Sequence, residues 1–292
     1  MSFQMTYHQL FEQAIAMLTQ AGIANAAQEA LWLLEYGLGV TRLEMLTSGQ
    51  GIVPLVHGQR TLELVARRAE REPLQYVIGT QEFCGRDLMV GPEVLIPRPE
   101  TELVVEEALA WVQADSSPLI IDVGTGSGCL AISLAMEKLH STVLAIDQSL
   151  SALYLARRNA IRQGCDDHIH WVNGDLLTPL LSTQTEGKVT AIVANLPYIS
   201  QAEWEFLPPD VKDFEPRQAL YGGPDGFDVY RRLFVQAPFV LSRVGVLIIE
   251  VGQGQMPLVE QAASTITGLH IVKIRQDEQG IDRVVCLQAP GA

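Results

Sequence analysis

The rhythm of apolar and polar positions changes twice along the chain. Over residues 1–73 it is helical throughout. In "YHQLFEQAIAMLTQAG", Leu10, Phe11, Ala14, Ile15 and Leu18 share one face and Gly22 follows as a stop. "AAQEALWLLEYGLG" repeats the pattern. "TRLEML" opens with Thr41 and Glu44 in the register of a capping box, where each side chain accepts from the other's backbone N–H. "VPLVHGQRTLELVARRAE" carries Pro54 near its first turn, where a missing N–H costs nothing. Residues 74–97 then break into short alternating stretches punctuated by Gly79, Gly85 and Gly91, which predicts a hairpin-like linker. "PRPETELVVEEALAWV" returns to helix, with Pro99 early and acids in the first turn, where the dipole favours them.

From residue 118 strand-like and helix-like runs alternate. The strand candidates are "PLIIDV", "STVLAID", "HIHWVN", "VTAIVAN", "GVLIIEV", "HIVKIR" and "DRVVCLQ"; helices are predicted to begin near Cys129, Leu150, Phe227 and Met256. Continuous apolar strands bracketing helices predict a parallel sheet covered on both faces, the doubly wound α/β class. The expected organisation is a small all-helical docking domain over 1–73, a hairpin-like linker over 74–97 and a seven-stranded sheet domain over 98–292.

Composition narrows the function classes. The 292 residues are 48% hydrophobic and 18% charged, as in a globular protein. No run is long and apolar enough to span a membrane, and the start lacks the basic region and cleavage site of a signal peptide. Cys84, Cys129, Cys165 and Cys286 are scattered without CxxC pairing, which predicts reduced thiols in the cytoplasm and neither a disulfide framework nor a metal site. A net charge of −14 argues against stable nucleic-acid binding, since that affinity comes from Lys and Arg on phosphates. The helical module is nearly neutral, with five basic and seven acidic residues, and carries nothing that looks catalytic.

In doubly wound sheets ligands sit beyond the carboxyl ends of strands. The first strand ends in "IIDVGTGSGCLAISLA", where Gly124, Gly126 and Gly128 permit a tight turn and close approach of a ligand. A dinucleotide fingerprint would want glycine at 129, where Cys129 stands, and the carboxylate of Asp122 would repel a pyrophosphate but welcome a cationic group. Asp147 ends the second strand, from which a carboxylate can accept both ribose hydroxyls, and Asp175 follows the third, in reach of an adenine amino group. A glycine loop with acids at three successive strand ends resembles the S-adenosylmethionine site of seven-stranded methyltransferases, with a Rossmann dehydrogenase as the competing reading.

The fourth strand ends in "VANLPYIS". The side-chain oxygen of Asn195 and the carbonyl of Leu196 are two acceptors that suit an NH₂ group, taking both protons and leaving the nitrogen lone pair outward. Pro197 restrains Leu196 towards extended backbone, and Tyr198 offers a flat face for a planar amide or base. An amide nitrogen is a poor nucleophile, so acceleration here would be mostly positional, on the order of 7–11 kcal/mol.

These residues resemble the N-P-P-Y motif of amino-methyltransferases, and the wider chain resembles the peptide chain release factor glutamine methyltransferase family. The likeness runs through "PLQYVIG", "EFCG", "LIPRPETELVVE", "DVGTGSG", "NGDLL", "NLPY", "FEPRQALYGGPDGFDVYRRL" and "DRVV". It implies methylation, from S-adenosylmethionine, of N5 of the glutamine in the Gly-Gly-Gln loop of class 1 release factors. By motif match it implies that Gly124, Thr125, Gly126, Ser127, Gly128, Asp147, Asp175 and Leu176 line the cofactor site, and that Asn195 to Tyr198 hold the glutamine. An aromatic can follow the third acid in the family; Leu176 stands there, so cofactor packing is expected to be aliphatic. Leu196 departs from the motif in the direction of ribosomal-RNA adenine dimethyltransferases. An adenine-N6 methyltransferase acting on RNA is therefore an alternative, and a non-catalytic S-adenosylmethionine-binding protein a second. Cys129 and the tryptophans 32, 111, 171 and 204 are expected to be packing residues, and "EFLPPDVKDFEP" a loop that could cover or edge the substrate.

Overall fold

The computed structural model describes residues 5–47, 49–181, 187–267 and 269–289. By contact the chain forms two units, one of residues up to Thr80 together with Pro208–Phe214, the other of Gln81–Leu207 and residues from Glu215 on.

The first unit is helical, as its periodicity predicts: Tyr7–Gln20, Ala26–Leu38, Arg42–Thr47, Leu55–Ala69 and Leu74–Ile78. Leu10, Ala14, Leu18, Leu33, Leu34 and Val65 are fully buried between them. The capping box forms, with Thr41 N–H donating to Glu44 Oε2 at 2.7 Å and Glu44 N–H to Thr41 Oγ1 at 3.3 Å. Buried Arg68 donates to both carboxylate oxygens of Glu29, at 2.5 and 3.3 Å, and lies 3.7 Å from Asp210. Asp210 is also 3.6 Å from Arg71. Pro208–Phe214, with its helical turn Pro209–Lys212, belongs by contact to the first unit, where Asp210 faces these two arginines. The stretch expected to be a single loop is thus divided between units. Trp32, expected to pack, is 45% exposed.

The region read as a linker is narrower and better fixed than its composition suggests. Its start is the helical turn Leu74–Ile78; the hairpin itself is β1 (Thr80–Phe83) and β2 (Arg86–Met89). Cys84 (φ 48°) and Gly85 (φ 72°) form a two-residue turn with both residues left-handed, which suits the twist of paired strands. Phe83 and Leu88 are buried in one core of the sheet unit. The Asn159 side chain accepts from Met89 N–H at 2.7 Å and donates to the carbonyls of Met89 and Ser127 at 3.0 and 2.9 Å.

The second unit is built on seven strands: β3 (Leu119–Val123), β4 (Thr142–Asp147), β5 (Ile169–Asn173), β6 (Val189–Ala194), β7 (Leu241–Glu250), β8 (His270–Gln276) and β9 (Asp282–Gln288). Their order is β5-β4-β3-β6-β7-β9-β8. Strands β3 to β7 are parallel, but β9 is antiparallel to both β7 and β8, so the sheet is mixed rather than parallel. The reason is local. Residues 277–281 between β8 and β9 are too few for a crossover, and a connection that short closes a hairpin. Alternate residues face opposite cores: Ile121, Val123, Ile192 and Ile249 one, Ile120, Val143, Val193 and Ile248 the other. The chain leaves β3 towards β4 on one side, and β6 lies on the other. That places the topological switch point, where a crevice opens, at the carboxyl end of β3.

Candidate functional site

A cavity of about 330 Å³ lies at that crevice, within the second unit, and its size is that of a small-molecule site. Of the sequence-predicted residues, Gly124, Thr125, Gly126, Ser127, Asp147, Asp175, Leu176, Asn195, Leu196 and Pro197 line it; Asp122, Gly128 and Tyr198 do not.

The loop after β3 is shaped by its glycines. The N–H groups of Gly124 and Thr125 both donate to Ile146 O, at 2.8 and 3.0 Å, folding the loop over the end of β4. A Cβ on Gly124 (φ 75°) would meet Leu196 Cδ2 at 2.7 Å, so the glycine admits the side chain of the "NLPY" stretch. A Cβ on Gly126 would meet only the Gly124 carbonyl, at 3.9 Å, and otherwise open space. Gly128 serves packing instead: its φ is 84° and a Cβ would press on Ile132 and Ala156 at 3.0 and 3.1 Å.

The three acids play different parts. Asp147 Oδ2 accepts from Gly126 N–H at 2.9 Å and Oδ1 from Ser149 N–H at 2.8 Å, and burial pushes its carboxyl above the usual range. Asp175 is half exposed and paired with Arg232, which also lines the cavity. Asp122 is fully buried beneath the loop. Its Oδ2 accepts from Thr125 Oγ1 at 2.6 Å and Ala131 N–H at 3.1 Å, and its Oδ1 has no hydrogen-bond partner. Burial pushes its carboxyl up to about 7. Its position beneath the wall follows from strand alternation, which turns residue 122 to the same side as Ile120, into a core. Leu176 is buried in the left-handed region (φ 51°), an uncommon backbone for a branched residue. Cys129 lines the cavity, and burial raises its thiol, so the helix start it occupies does not activate it.

At the end of β6, Asn195 Nδ2 donates to Thr101 Oγ1 at 2.9 Å. Leu196 is 4% exposed, and its N–H donates to the hydroxyl of Tyr230 at 3.0 Å. The ring of Tyr198 packs against the hydrophobic core beside Gly252, and burial raises its hydroxyl. The aromatic that lines the cavity is Tyr221. It is brought there by pairing of its neighbours with Ile199: Ile199 N–H donates to Leu220 O and Gly222 N–H to Ile199 O, both at 2.9 Å. The Arg217 guanidinium lies over the rings of Trp204 and Tyr221, 5.2 and 4.8 Å from their centroids.

Sequence reasoning missed Thr101, Glu215, Tyr221, Tyr230 and Glu250 as individual residues. Glu215 is buried, accepts from Ile96 N–H at 3.1 Å and pairs with Arg98, a lining residue. Glu250 ends β7, and the strand-end rule that found the other acids points to it equally. Tyr230 lies in the first turn of the helix Asp228–Val240, inside the stretch "GFDVYRRL" that carried the family likeness without singling it out.

Two family models match this chain: the PrmC N-terminal domain over residues 9–79 and the methyltransferase small domain over residues 102–207. The chain is 41% identical over 280 residues to the release factor glutamine methyltransferase of Geobacter sulfurreducens, covering 96% of this chain and 95% of that one. It is 39% identical to that of Moorella thermoacetica, covering 96% and 97%. Among solved structures, the catalytic domain of hMettl16 in complex with a MAT2A 3′UTR hairpin superposes with a TM-score of 0.55. That likeness covers 80% of this chain and 81% of the other at 13% identity, and so bears on the fold alone.

Proposed function

The chain belongs to the release factor glutamine methyltransferase family, and on that premise we propose how its site performs the transfer. The protein is an S-adenosylmethionine-dependent methyltransferase that methylates the side-chain amide of a release factor glutamine. The finer reading is that the target is N5 of the glutamine in the Gly-Gly-Gln loop of class 1 factors, met in the cytoplasm, with no stable nucleic-acid complex.

The cavity suits the cofactor. Asp147 and Asp175 are acceptors for hydroxyl and amino groups, Leu176 and Ile146 are apolar walls, and the open space at Gly126 lets a ligand approach the backbone. Gly124, Thr125, Gly126, Ser127, Asp147, Asp175 and Leu176 are proposed to hold it, with Asp122 and Gly128 supporting the loop from behind. When bound, S-adenosylmethionine would supply a methyl carbon activated by its sulfonium; the N–C bond would form as the C–S bond breaks, and the methylated amide would release one proton to solvent.

The protein's part is to present that lone pair. Asn195 Oδ1 and the Leu196 carbonyl accept the two amide protons, so the nitrogen faces the cavity. Leu in place of Pro at 196 retains that carbonyl, and the added N–H is satisfied by Tyr230. Tyr221, with Pro197, supplies cavity wall where Tyr198 was expected to stack. The observation that carries this reading is that Asn195, Leu196 and Pro197 share one cavity with the glycine loop and Asp147. Relatives at 41% and 39% identity, matched over nearly their whole length, disfavour the RNA and non-catalytic alternatives.

The test is incubation with labelled S-adenosylmethionine, a release factor, its Gln→Ala variant and total RNA. Label is expected in the release factor and lost in the variant; label confined to RNA overturns the reading. Asn195→Ala is expected to abolish transfer while cofactor binding survives, and full activity would refute its role.

A further inference from the structure

Both residues of the proposed clamp are tied from behind to one residue. Asn195 Nδ2 donates to Thr101 Oγ1 at 2.9 Å, and Thr101 Oγ1 donates to Glu250 Oε2 at 2.6 Å. The Leu196 N–H donates to the Tyr230 hydroxyl at 3.0 Å, and that hydroxyl donates to the backbone carbonyl of Glu250 at 2.5 Å. Thr101, Tyr230 and Glu250 are 2%, 0% and 1% exposed, so water does not compete for these bonds.

A threonine hydroxyl has one proton. An ionised Glu250 only accepts, so Thr101 commits its proton there and turns a lone pair to Asn195. The Asn195 amide must then point its NH₂ group at Thr101, which leaves Oδ1 for a substrate. With Glu250 protonated the chain reverses: its O–H donates to Thr101, whose freed proton attracts Asn195 Oδ1. The amide turned over would present NH₂ to NH₂, donor against donor. We propose that Glu250, through Thr101, sets which end of the Asn195 amide meets the substrate, and through Tyr230 holds the backbone N–H of Leu196, so that Glu250, Thr101 and Tyr230 are positioning residues for the transfer. This rests on the reading that Asn195 and Leu196 grip the glutamine amide.

The charge environment makes the switch accessible. Burial pushes Glu250 up to about 7, with Glu100 adding to the rise; the Thr101 hydroxyl, Arg283 and Arg98 oppose it. The phenols of Tyr198 and Tyr230 also face it. Transfer therefore rises with pH as Glu250 ionises.

The experiment compares Thr101→Val, Thr101→Ser, Glu250→Gln and Asn195→Ala by kcat, by KM for the release factor, and by S-adenosylmethionine affinity across the range from about pH 5.5 to 9. Thr101→Val is expected to lower kcat about 10- to 100-fold, the worth of the Asn195 bond to the substrate amide once the Asn195 side chain is no longer oriented. Cofactor affinity and KM are expected to hold within about threefold, and Thr101→Ser, which keeps the hydroxyl, to recover kcat to within about threefold. Glu250→Gln is expected to lose the acid limb of the pH profile. Wild-type kcat in Thr101→Val beside an inactive Asn195→Ala overturns the relay and spares the clamp. An acid limb unchanged in Glu250→Gln also overturns it, as does loss of cofactor binding in both variants. An active Asn195→Ala overturns the clamp itself, and the relay with it.

Discussion

Replacing Tyr230 by Phe removes one oxygen and nothing else. The ring is fully buried and packs against Phe227 at a centroid distance of 5.3 Å, contacts that Phe retains. Two bonds are lost, from Leu196 N–H and to Glu250 O. The N–H belongs to a residue only 4% exposed, so orphaning it costs about 1–3 kcal/mol, and the bond to the carbonyl adds about 1 kcal/mol. The expected destabilisation is therefore about 2–4 kcal/mol. Leu196→Pro separates the two contributions, because proline has no N–H to orphan. On that background Tyr230→Phe should cost only the smaller amount, which predicts a coupling of about 1–3 kcal/mol between the positions. Denaturant unfolding of the four proteins, followed by far-UV circular dichroism, measures it from the midpoints provided the slopes agree. Equal cost on both backgrounds, within about 0.5 kcal/mol, would refute the claim that the hydroxyl is there for the extra N–H of Leu196.

Gly124→Ala should cost at least about 1–2 kcal/mol for a left-handed residue with a side chain, and should weaken cofactor binding as Leu196 is displaced. Unchanged melting and affinity would contradict the close approach at 2.7 Å. Burial, with the nearby charge of Asp147, holds the Asp122 carboxyl up at about 7 against the bonds from Thr125 and Ala131. The folded chain thus keeps a proton that the unfolded chain releases from about pH 4, and this residue's contribution to stability falls as pH rises to about 7. Asp122→Asn should flatten the pH dependence of the unfolding midpoint by an amount on the order of a few kcal/mol, and an identical slope would refute the assignment. Glu215→Ala orphans the buried Ile96 N–H and releases Arg98, for an expected loss of about 1–3 kcal/mol; a change in denaturant midpoint worth under about 0.5 kcal/mol would show that the segment holds itself.

The strands and helices were legible because burial on a helix stripe or a sheet face writes its period into the chain. Direction was less legible: "HIVKIR" and "DRVVCLQ" carry the same apolar signal whichever way they run, and only the short gap between them betrays the hairpin. That Gly124, Gly126, Asp147, Asp175 and Asn195 line one cavity was readable, since strand ends deliver residues to the crevice by backbone geometry alone. Asp122 stood on the same list yet lies inside a core, because a strand turns alternate side chains away. Tyr198 and Tyr221 could not be told apart in advance. Which aromatic faces the cavity depends on the pairing of Ile199 with residues 220 and 222, a contact between segments some twenty residues apart. Thr101 and Tyr230 lay inside stretches that carry the family likeness, but their roles were unreadable for the same reason: their partners arrive from the ends of distant strands.

Seven residues, Pro208–Phe214, belong by contact to the helical unit although they follow the fourth strand of the main sheet. The backbone therefore passes between the units three times, and the helical unit cannot be excised at one cut. A chain shortened to begin at Gln81 would keep Asp210 but discard Arg68 and Arg71. A protease nick near Thr80 would leave the halves joined by a loop whose middle is still gripped. Moving these helices alone would separate Arg68 and Arg71 from Asp210, so in this chain the module is a helix bundle together with a short insertion from the far side of the fourth strand.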